Sequence, residues 1–232
     1  MDIHLISPFD KIAKVALSES ILNRANKNGY VNYYFYNLYK YADFPHQKID
    51  DSPFGGGFGM ILKPEPIFRI IDEIESKYKK QQKYRIVFPT PDGRILNQKI
   101  SNELSKEEQL IFISGHYKGL DQRVRDELVT DEVSIGDYVL TGGDLPSLVI
   151  IDTIVRLIPG VIGKIESAKT DSFSNPLLDY PHYTRPESYR GLKVPDVLTS
   201  GHHENIDKWR QKKRLEKTKN RRPDLLEKFK NN

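Results

Sequence analysis

The stretch that decides the fold is SIGDYVLTGGDLPSLVIIDTIVRLIP, which occupies Ser134–Pro159. Its first part, Ile135 and Tyr138–Leu140, is a short run of residues that favour β-strands. Thr141–Asp144 is a tight glycine turn, and Leu148–Ile158 is a mostly apolar segment of helical length. The stretch therefore predicts a strand, a turn and a buried helix.

The turn combines a predicted helix cap with two adjacent glycines. We expect the Asp144 carboxylate to accept hydrogen bonds from free backbone N–H groups at the helix start, and Pro146 suits the first helical turn. Because Gly142 and Gly143 have no Cβ, the backbone here can approach a ligand closely and present its polar groups to an adenine or ribose edge. A plain tight turn is the alternative interpretation.

The segments at the start of the chain predict a parallel sheet covered by helices. Ile3–Ile6 is a short apolar strand, a helix is expected from Asp10 to Asn26 with Gly29 as its stop, and Val31–Leu38 is strand-like. This β-α-β order is the unit of an α/β fold.

Three predicted strands each end in a loop rich in glycine or proline. Arg85–Phe88 is followed by PTPDGR, Leu110–Ile113 by SGHYKG, and the strand of the opening stretch by TGGD, with helices expected at 64–78 and 101–108. Ligands of open α/β sheets bind at the carboxyl ends of strands, so we expect the three loops to form one pocket. His116 alone is interpreted as a structural or surface histidine, since no second ligand stands at metal spacing beside it.

A second glycine-rich segment, DDSPFGGGFGM, occupies Asp50–Met60. It lacks the spacing of a phosphate-binding P-loop and of a dinucleotide fold, so neither a nucleoside triphosphate nor NAD follows from it. Its aspartates and proline favour a ligand-facing loop over a flexible linker.

Composition bounds the class of protein. The 232 residues contain no cysteine, which excludes disulfides and thiol chemistry, and no run approaches about 18 apolar residues, the length of a membrane span. We expect a cytosolic protein without a signal peptide.

The segment 207–230 has 11 lysines and arginines against 4 acidic residues, a local charge of +7 within a net charge of +4. RNA is the natural partner of such a segment, and an ordinary solvated helix is the alternative.

Eight ordered motifs then carry a resemblance that runs from end to end of the chain. They are DDSPFGGGFGM, GHYKGLDQRV, SIGDYVLTGGDLP, IPGVIG, DSF, LLDYPHYTRP, VPDVLTSGHH and RRPDLL. Together they resemble the bacterial tRNA (guanine-N1)-methyltransferases of the SPOUT class.

The resemblance implies an α/β fold whose parallel sheet contains a deep trefoil knot, followed by a small, mainly helical C-terminal domain. Residues 1–160 would form the knotted domain, 161–172 a linker and 173–232 a tRNA-binding domain. It also implies a homodimer whose active sites are shared between chains. S-adenosylmethionine would be held by Pro89, Thr90, Ser114, Gly115, Tyr117, Ile135, Gly136, Asp137, Tyr138, Val139, Leu140, Gly142, Gly143 and Pro146.

The implied reaction is methyl transfer to N1 of the guanine at tRNA position 37. Free guanine N1 carries a proton, so a general base is needed, and the family pattern places it at Asp171 with Arg156 assisting. Asp152 lies four residues before Arg156, so a simple helix ion pair is the alternative for this arginine. Substrate contacts are expected at Asp50, Gly55, Gly56, Gly57, Gly59, His182, Arg185, Arg221 and Arg222.

The chain departs from the family pattern at three positions. Phe58 stands where the glycine loop usually has a small residue or proline, and Lys118 and Gln122 each replace a common glutamate. No metal ligands are therefore assigned, and a requirement for magnesium is left open. Two further functions remain as alternatives: methylation of another RNA by a SPOUT enzyme, and a catalytically silent RNA-binding relative.

Overall fold

The structure is a computed structural model that describes residues 1–78, 83–163, 171–173 and 175–230. Packing divides the chain into two compact units, Met1–Gly163 and Lys164–Asn232. Most of the expected linker, 161–172, lies outside the described residues. No helix in the described ranges is both long enough and apolar enough to cross a membrane.

The first unit is built on a five-stranded parallel sheet with the order β2-β1-β6-β5-β7. The α/β class with a parallel sheet is thus confirmed. A separate antiparallel pair, β3 and β4, follows β2 in the chain. The strands are β1 (Asp2–Ser7), β2 (Asn32–Asn37), β3 (Asp50–Asp51), β4 (Ile61–Leu62), β5 (Tyr84–Ile95), β6 (Gln109–Ile113) and β7 (Asp131–Ser134).

Helices cover both faces of this sheet. Phe112 of β6 belongs to a buried cluster with residues of α1, α2, α4 and α6, whereas Ile111 belongs to a second cluster with residues of α3 and α5. Successive residues of a strand point to opposite faces, so β6 supplies both cores. The helices are α1 (Asp10–Leu17), α2 (Ser20–Lys27), α3 (Pro64–Lys77), α4 (Gln98–Leu104), α5 (Gln122–Glu127) and α6 (Asp144–Val155).

The single helix predicted from Asp10 to Asn26 is wrong, because the chain forms two helices there. The Ser18 hydroxyl donates to the carbonyl of Val15 at 2.8 Å, a local bond that competes with helix continuation. Ser20 then takes a φ of 51°, outside the right-handed helical region. The apolar residues keep their helical spacing across this break, so the sequence pattern did not reveal it.

The strand predicted at Ile135 and Tyr138–Leu140 is also wrong, since β7 ends at Ser134. The Ser134 hydroxyl closes a turn by accepting from the N–H of Gly136 at 3.2 Å and donating to its carbonyl at 3.1 Å. The strand instead begins at Asp131, whose buried carboxylate pairs with Arg85 and Arg94. Polar residues therefore start this strand, against the β-propensity pattern.

The PTPDGR segment does not simply end its strand, as predicted, but lies within β5. Pro89 and Arg94 both pair with Val133, so the residues between them bulge out of the ladder. Gly93 is needed there, because a Cβ would lie 2.5 Å from the carbonyl carbon of Glu132. The helix predicted at 101–108 is α4, which begins at Gln98 because the Asn97 side chain accepts from two N–H groups of its first turn.

The second unit is mainly helical. Its buried apolar residues are Leu177, Leu178, Ile206 and Leu225. Among the described residues its two longest helices are His203–Arg221 and Pro223–Lys230. The elements are β8 (Ser188–Tyr189), β9 (Leu192–Lys193), α7 (Asp196–Thr199), α8 (His203–Arg221) and α9 (Pro223–Lys230).

Candidate functional site

The three predicted loops meet at the carboxyl end of the sheet. Strands β6, β5 and β7 are neighbours, and residues of the β5 bulge and of the loops after β6 and β7 surround one cavity of about 270 Å³ that opens to solvent. This volume lies close to the lower end of the range for small-molecule sites, about 300–1,000 Å³. The predicted convergence is confirmed.

Most of the residues predicted to hold a ligand line this cavity. Ser114 and Asp137 do not; the Ser114 side chain is buried, and its hydroxyl hydrogen-bonds that of Ser147 at 3.0 Å. The predicted residues that line the cavity are Pro89, Thr90, Gly115, Tyr117, Ile135, Gly136, Tyr138, Val139, Leu140, Gly142, Gly143 and Pro146.

Glycines allow two of the loops to pack directly against each other. The Gly143 N–H donates to the carbonyl of Gly115 at 2.6 Å, and a Cβ on Gly143 would lie 2.6 Å from the Gly115 nitrogen. A Cβ on Gly115 would meet the Phe88 ring at 2.8 Å. Any side chain at either position would therefore push the loops apart and change the cavity.

Asp144 does not cap α6, contrary to the prediction, since Gly143 precedes the helix without a side-chain cap. Its buried carboxylate instead accepts from the Ser7 hydroxyl at 2.5 Å and from Nε2 of His116 at 2.7 Å. Carboxylate oxygens can only accept when ionised, so Nε2 carries the proton. Asp144 thus joins the ends of β1 and β6 to the start of α6.

His116 has the structural role that the sequence favoured, and it also lines the cavity. Its ring is 14% exposed and packs on the glycine turn, where a Cβ on Gly142 would lie 2.2 Å from the ring. The Phe9 ring covers it edge-on, with the ring centroids 4.9 Å apart. His116 therefore supports the backbone of the turn that faces the cavity.

Arg125 of α5 supports the other side of the cavity. Its guanidinium donates to Asp92 in the β5 bulge at 2.7 Å and to both oxygens of Glu132 at 2.7 and 2.8 Å. It also lies over the Phe88 ring, 5.5 Å from the centroid. The bonds to Glu132 and Asp92 raise the pKa of this guanidinium. Arg125 thus holds together a cavity-lining loop, the strand beside it and a cavity-lining ring.

The glycine loop predicted to face a ligand reaches the edge of the same cavity. The N–H of Lys118, a cavity-lining residue, donates to the carbonyl of Met60 at 2.9 Å. The Lys118 stem packs on Gly59, where a Cβ would lie 3.0 Å from Cγ. Asp50 begins the β3–β4 pair that frames this loop. Gly55, Gly56, Gly57 and Gly59 all have positive φ, between 80° and 119°.

The remaining predicted residues lie elsewhere in the two units. Arg156 directly follows α6 in the first unit, and Asp171 lies in the second. In the second unit, Nε2 of His182 contacts the Asp179 carboxylate at 2.8 Å, and Arg185 is exposed. Arg221 ends α8, and Arg222 makes two hydrogen bonds to Asp224 at 2.9 and 2.8 Å. The catalytic and substrate roles of these residues stay predictions.

Comparison with known proteins identifies the family. The sequence matches the family described as tRNA (Guanine-1)-methyltransferase TrmD over residues 1–228. The chain belongs to this family. A tRNA (guanine-N(1)-)-methyltransferase of Anoxybacillus flavithermus is 50% identical over 229 residues, which cover 99% of this chain and 93% of that protein. One of Bacillus pumilus is 48% identical over 227 residues, with 98% and 92% covered. The family assignment implied by the sequence motifs is confirmed.

Several cavity residues were missed by the sequence reasoning. Phe88 sits inside an apolar strand and looked like ordinary core, while His116 and Lys118 lie between the glycines of a predicted loop. Position within that loop was the available signal for the latter two. The cavity residues not named as ligand contacts from the sequence are Phe88, Pro91, His116, Lys118, Gly119, Val133, Ser134 and Thr141, of which Pro91, His116, Lys118, Gly119 and Thr141 lie in the loops predicted to form the pocket.

Proposed function

We propose that this chain transfers a methyl group from S-adenosylmethionine to N1 of the guanine at position 37 of tRNA. Membership of the tRNA (Guanine-1)-methyltransferase family supports the enzyme class, the tRNA and the guanine nitrogen. The observation that carries the proposal is the cavity that three loops form together in a chain of this family. Position 37 comes from the resemblance in the sequence motifs.

The cavity suits S-adenosylmethionine, which when bound supplies a methyl group carried on a sulfonium sulfur. Its lining combines apolar side chains such as Val139 and Leu140 with glycines whose Cβ atoms would fill the space between loops. Backbone N–H and C=O groups of these loops can read the adenine edge, and their close approach needs the glycines. We infer that the residues from Ile135 to Gly143 hold the adenosine part.

Two residues of the chain are proposed to act on the guanine. Asp171 accepts the N1 proton as the nitrogen–carbon bond forms and the sulfur–carbon bond breaks, so the proton ends on its carboxylate. Arg156 stabilises the negative charge that develops on O6 of the guanine. Proton removal is needed because the protonated N1 is a poor nucleophile.

The role of Asp171 is tested by Asp171→Asn, which keeps the shape of the side chain but cannot take up the proton. We expect a loss of about 10²–10⁴-fold in the single-turnover methylation rate with an almost unchanged affinity for S-adenosylmethionine. A wild-type rate at saturating tRNA would remove Asp171 from the chemistry, and His182 would be the next candidate.

The function itself is tested with labelled S-adenosylmethionine and unmodified tRNA transcripts. A transcript with guanine at position 37 should gain 1-methylguanine, and a matched transcript with adenine there should not. Methylation of other RNA instead would favour another SPOUT activity, and tRNA binding without methylation would favour a silent relative.

We also propose a homodimer. Five apolar residues at or in the packed helices α1 and α6 remain exposed: Phe9, Ile12, Val15, Leu145 and Val149. Leu145, Val149 and Asp152 are exposed and lie along one side of α6, three or four residues apart. Arg156 comes four residues after Asp152, so it lies on the same side as this apolar face. A second copy packed there would cover the apolar surface and bring Arg156 close to the partner.

The trefoil knot is proposed with the dimer. The turn that contains Gly142 and Gly143 follows β7, yet it hydrogen-bonds to the loop after β6 on the far side of β5. This return of the chain across the end of β5 supports the knot that the resemblance implies.

A further inference from the structure

The glycine loop exposes two phenylalanine rings. Phe58 is 95% exposed and Phe54 is fully exposed, one on each side of the three consecutive glycines. Full burial of a phenylalanine ring is worth about 1.5–3 kcal/mol, so a ligand that covers either ring would gain binding free energy. The loop therefore presents apolar, planar surface beside the cavity.

Lys118 lies at the base of the same loop. Its aliphatic stem packs on Gly59, the residue next to Phe58, and its N–H is bonded to the carbonyl of Met60. Lys118 forms no ion pair within 4 Å with any residue that the structure describes. Gly59 therefore brings Lys118, which has no ion pair within the described residues, next to the residue that carries the Phe58 ring, at the mouth of the cavity.

We propose that Phe58 and Lys118 bind one unpaired nucleotide of the substrate tRNA next to the guanine that is methylated. The Phe58 ring stacks on the base, and the Lys118 ammonium contacts the adjoining phosphate. This inference rests on the proposed function, since it assigns the contacts that hold the RNA at that same site. Recognition of unpaired bases by aromatic rings with nearby cations is the usual mode for single-stranded RNA.

The shape of the loop favours a nucleotide over a protein partner. A Cβ built at Gly55, Gly56 or Gly57 would meet nothing within 4 Å, so the space beside this backbone is open to a flat group. These glycines have positive φ, a backbone conformation that other residues rarely adopt. The loop therefore carries no side chain between the two phenylalanines. What the loop offers is two separate rings and one cation rather than a continuous apolar face, and this fits bases and phosphate.

The experiment measures the Kd of a position-37 guanine tRNA transcript over a range of salt concentrations for substituted proteins. Phe58→Ala should weaken tRNA binding about 5- to 150-fold without changing the salt slope, because it removes stacking alone. Phe58→Trp should retain binding, and Phe58→Leu should fall between them. Lys118→Met should lower the salt slope by about one, as expected for one lost phosphate contact.

Phe44→Ala is the matched control, since Phe44 is 86% exposed but lies outside the glycine loop. It should leave tRNA affinity unchanged, and both Phe44→Ala and Phe58→Ala should keep the wild-type Kd for S-adenosylmethionine. Unchanged tRNA affinity in Phe58→Ala would overturn the inference. So would a loss of dimer mass in that variant, which would assign the ring to a second copy. Failure of the wild-type protein to methylate the transcript would instead overturn the proposed function.

Discussion

At the scale of single residues, Arg125 is predicted to determine the affinity for S-adenosylmethionine without touching it. Arg125→Met removes the bonds to Asp92 and Glu132 and frees the β5 bulge. We expect the Kd for S-adenosylmethionine to rise about three- to tenfold while the Kd for tRNA stays unchanged, because a loop must then be ordered on binding. Calorimetry with each ligand measures both.

Arg123→Met is the control, because Arg123 is 68% exposed and its only ion pair within the described residues is with Asp121. The pairs of Arg125 are partly exposed, so the unfolding free energy of Arg125→Met should fall by less than about 1 kcal/mol. Equal effects of the two substitutions on cofactor affinity would contradict the role. The sequence cannot separate these arginines: they stand two residues apart, and Asp92, the partner that ties Arg125 to the β5 bulge, lies 33 residues earlier in the chain.

His4 gives a prediction on pH. Its ring is fully buried in β1, stacks on Tyr34 and accepts from the Gln109 amide at Nε2. Burial lowers its pKa from 6.5 to about 4. Between these values the unfolded chain binds more protons, so stability should fall on acidification from pH 6.5 to 4, by on the order of 3 kcal/mol.

Chemical unfolding at a series of pH values measures this effect. His4→Phe keeps the stacking on Tyr34 but loses the hydrogen bond from Gln109, so it should be less stable at pH 7. Because phenylalanine cannot titrate, the unfolding free energy of this variant should fall less steeply on acidification. The exposed His46→Gln is the control and should keep the wild-type pH dependence. An equally steep fall in His4→Phe would assign the acid sensitivity to other groups.

At the scale of elements, helix α8 has two kinds of cation. Arg214 is buried and donates to Asn175 and to the Leu178 carbonyl, so it holds the helix in its unit. Lys219 and Arg221 are exposed and form no ion pair with any described residue. We predict that Lys219→Gln with Arg221→Gln lowers the salt slope of tRNA binding by about 1.5, since two phosphate contacts are lost.

Lys99→Gln with Lys106→Gln is the matched control, because it removes the same charge from exposed positions at and after α4 of the first unit. An equal change of slope in the control would indicate a general charge effect. Arg222, which the sequence also favoured for tRNA contact, is engaged with Asp224 and is a weaker choice.

The elements also show what the sequence could predict. The helix expected at 64–78 agrees with α3 (Pro64–Lys77) to within one residue, and the order of strands and loops predicted the cavity. The start of β7 could not be predicted, because Asp131 is polar and becomes buried only by pairing with arginines 46 and 37 residues earlier in the chain. The role of Asp144 was missed for the same reason, since Ser7 lies 137 residues away.

At the scale of the whole molecule, the proposed dimer predicts a mass of two chains by light scattering at micromolar concentration. Val149→Glu with Leu145→Glu places charge on the exposed apolar face of α6 and should yield monomers that fold but do not methylate. Glu65→Gln with Glu75→Gln alters charge elsewhere on the first unit and should leave the dimer intact. A wild-type monomer would contradict the proposal.

Sharing of the active site between chains is tested by mixing two inactive variants. If Arg156 of one chain serves the guanine held at Asp171 of its partner, a mixed dimer of Arg156→Ala and Asp171→Ala contains one site with both residues intact. Random exchange of equal amounts makes half of the dimers mixed, so methylation should recover to about one quarter of the wild-type rate. Each variant alone should remain inactive after the same exchange treatment. If both residues act within one chain, no mixed dimer has a complete site, and the mixture will stay as inactive as its parts.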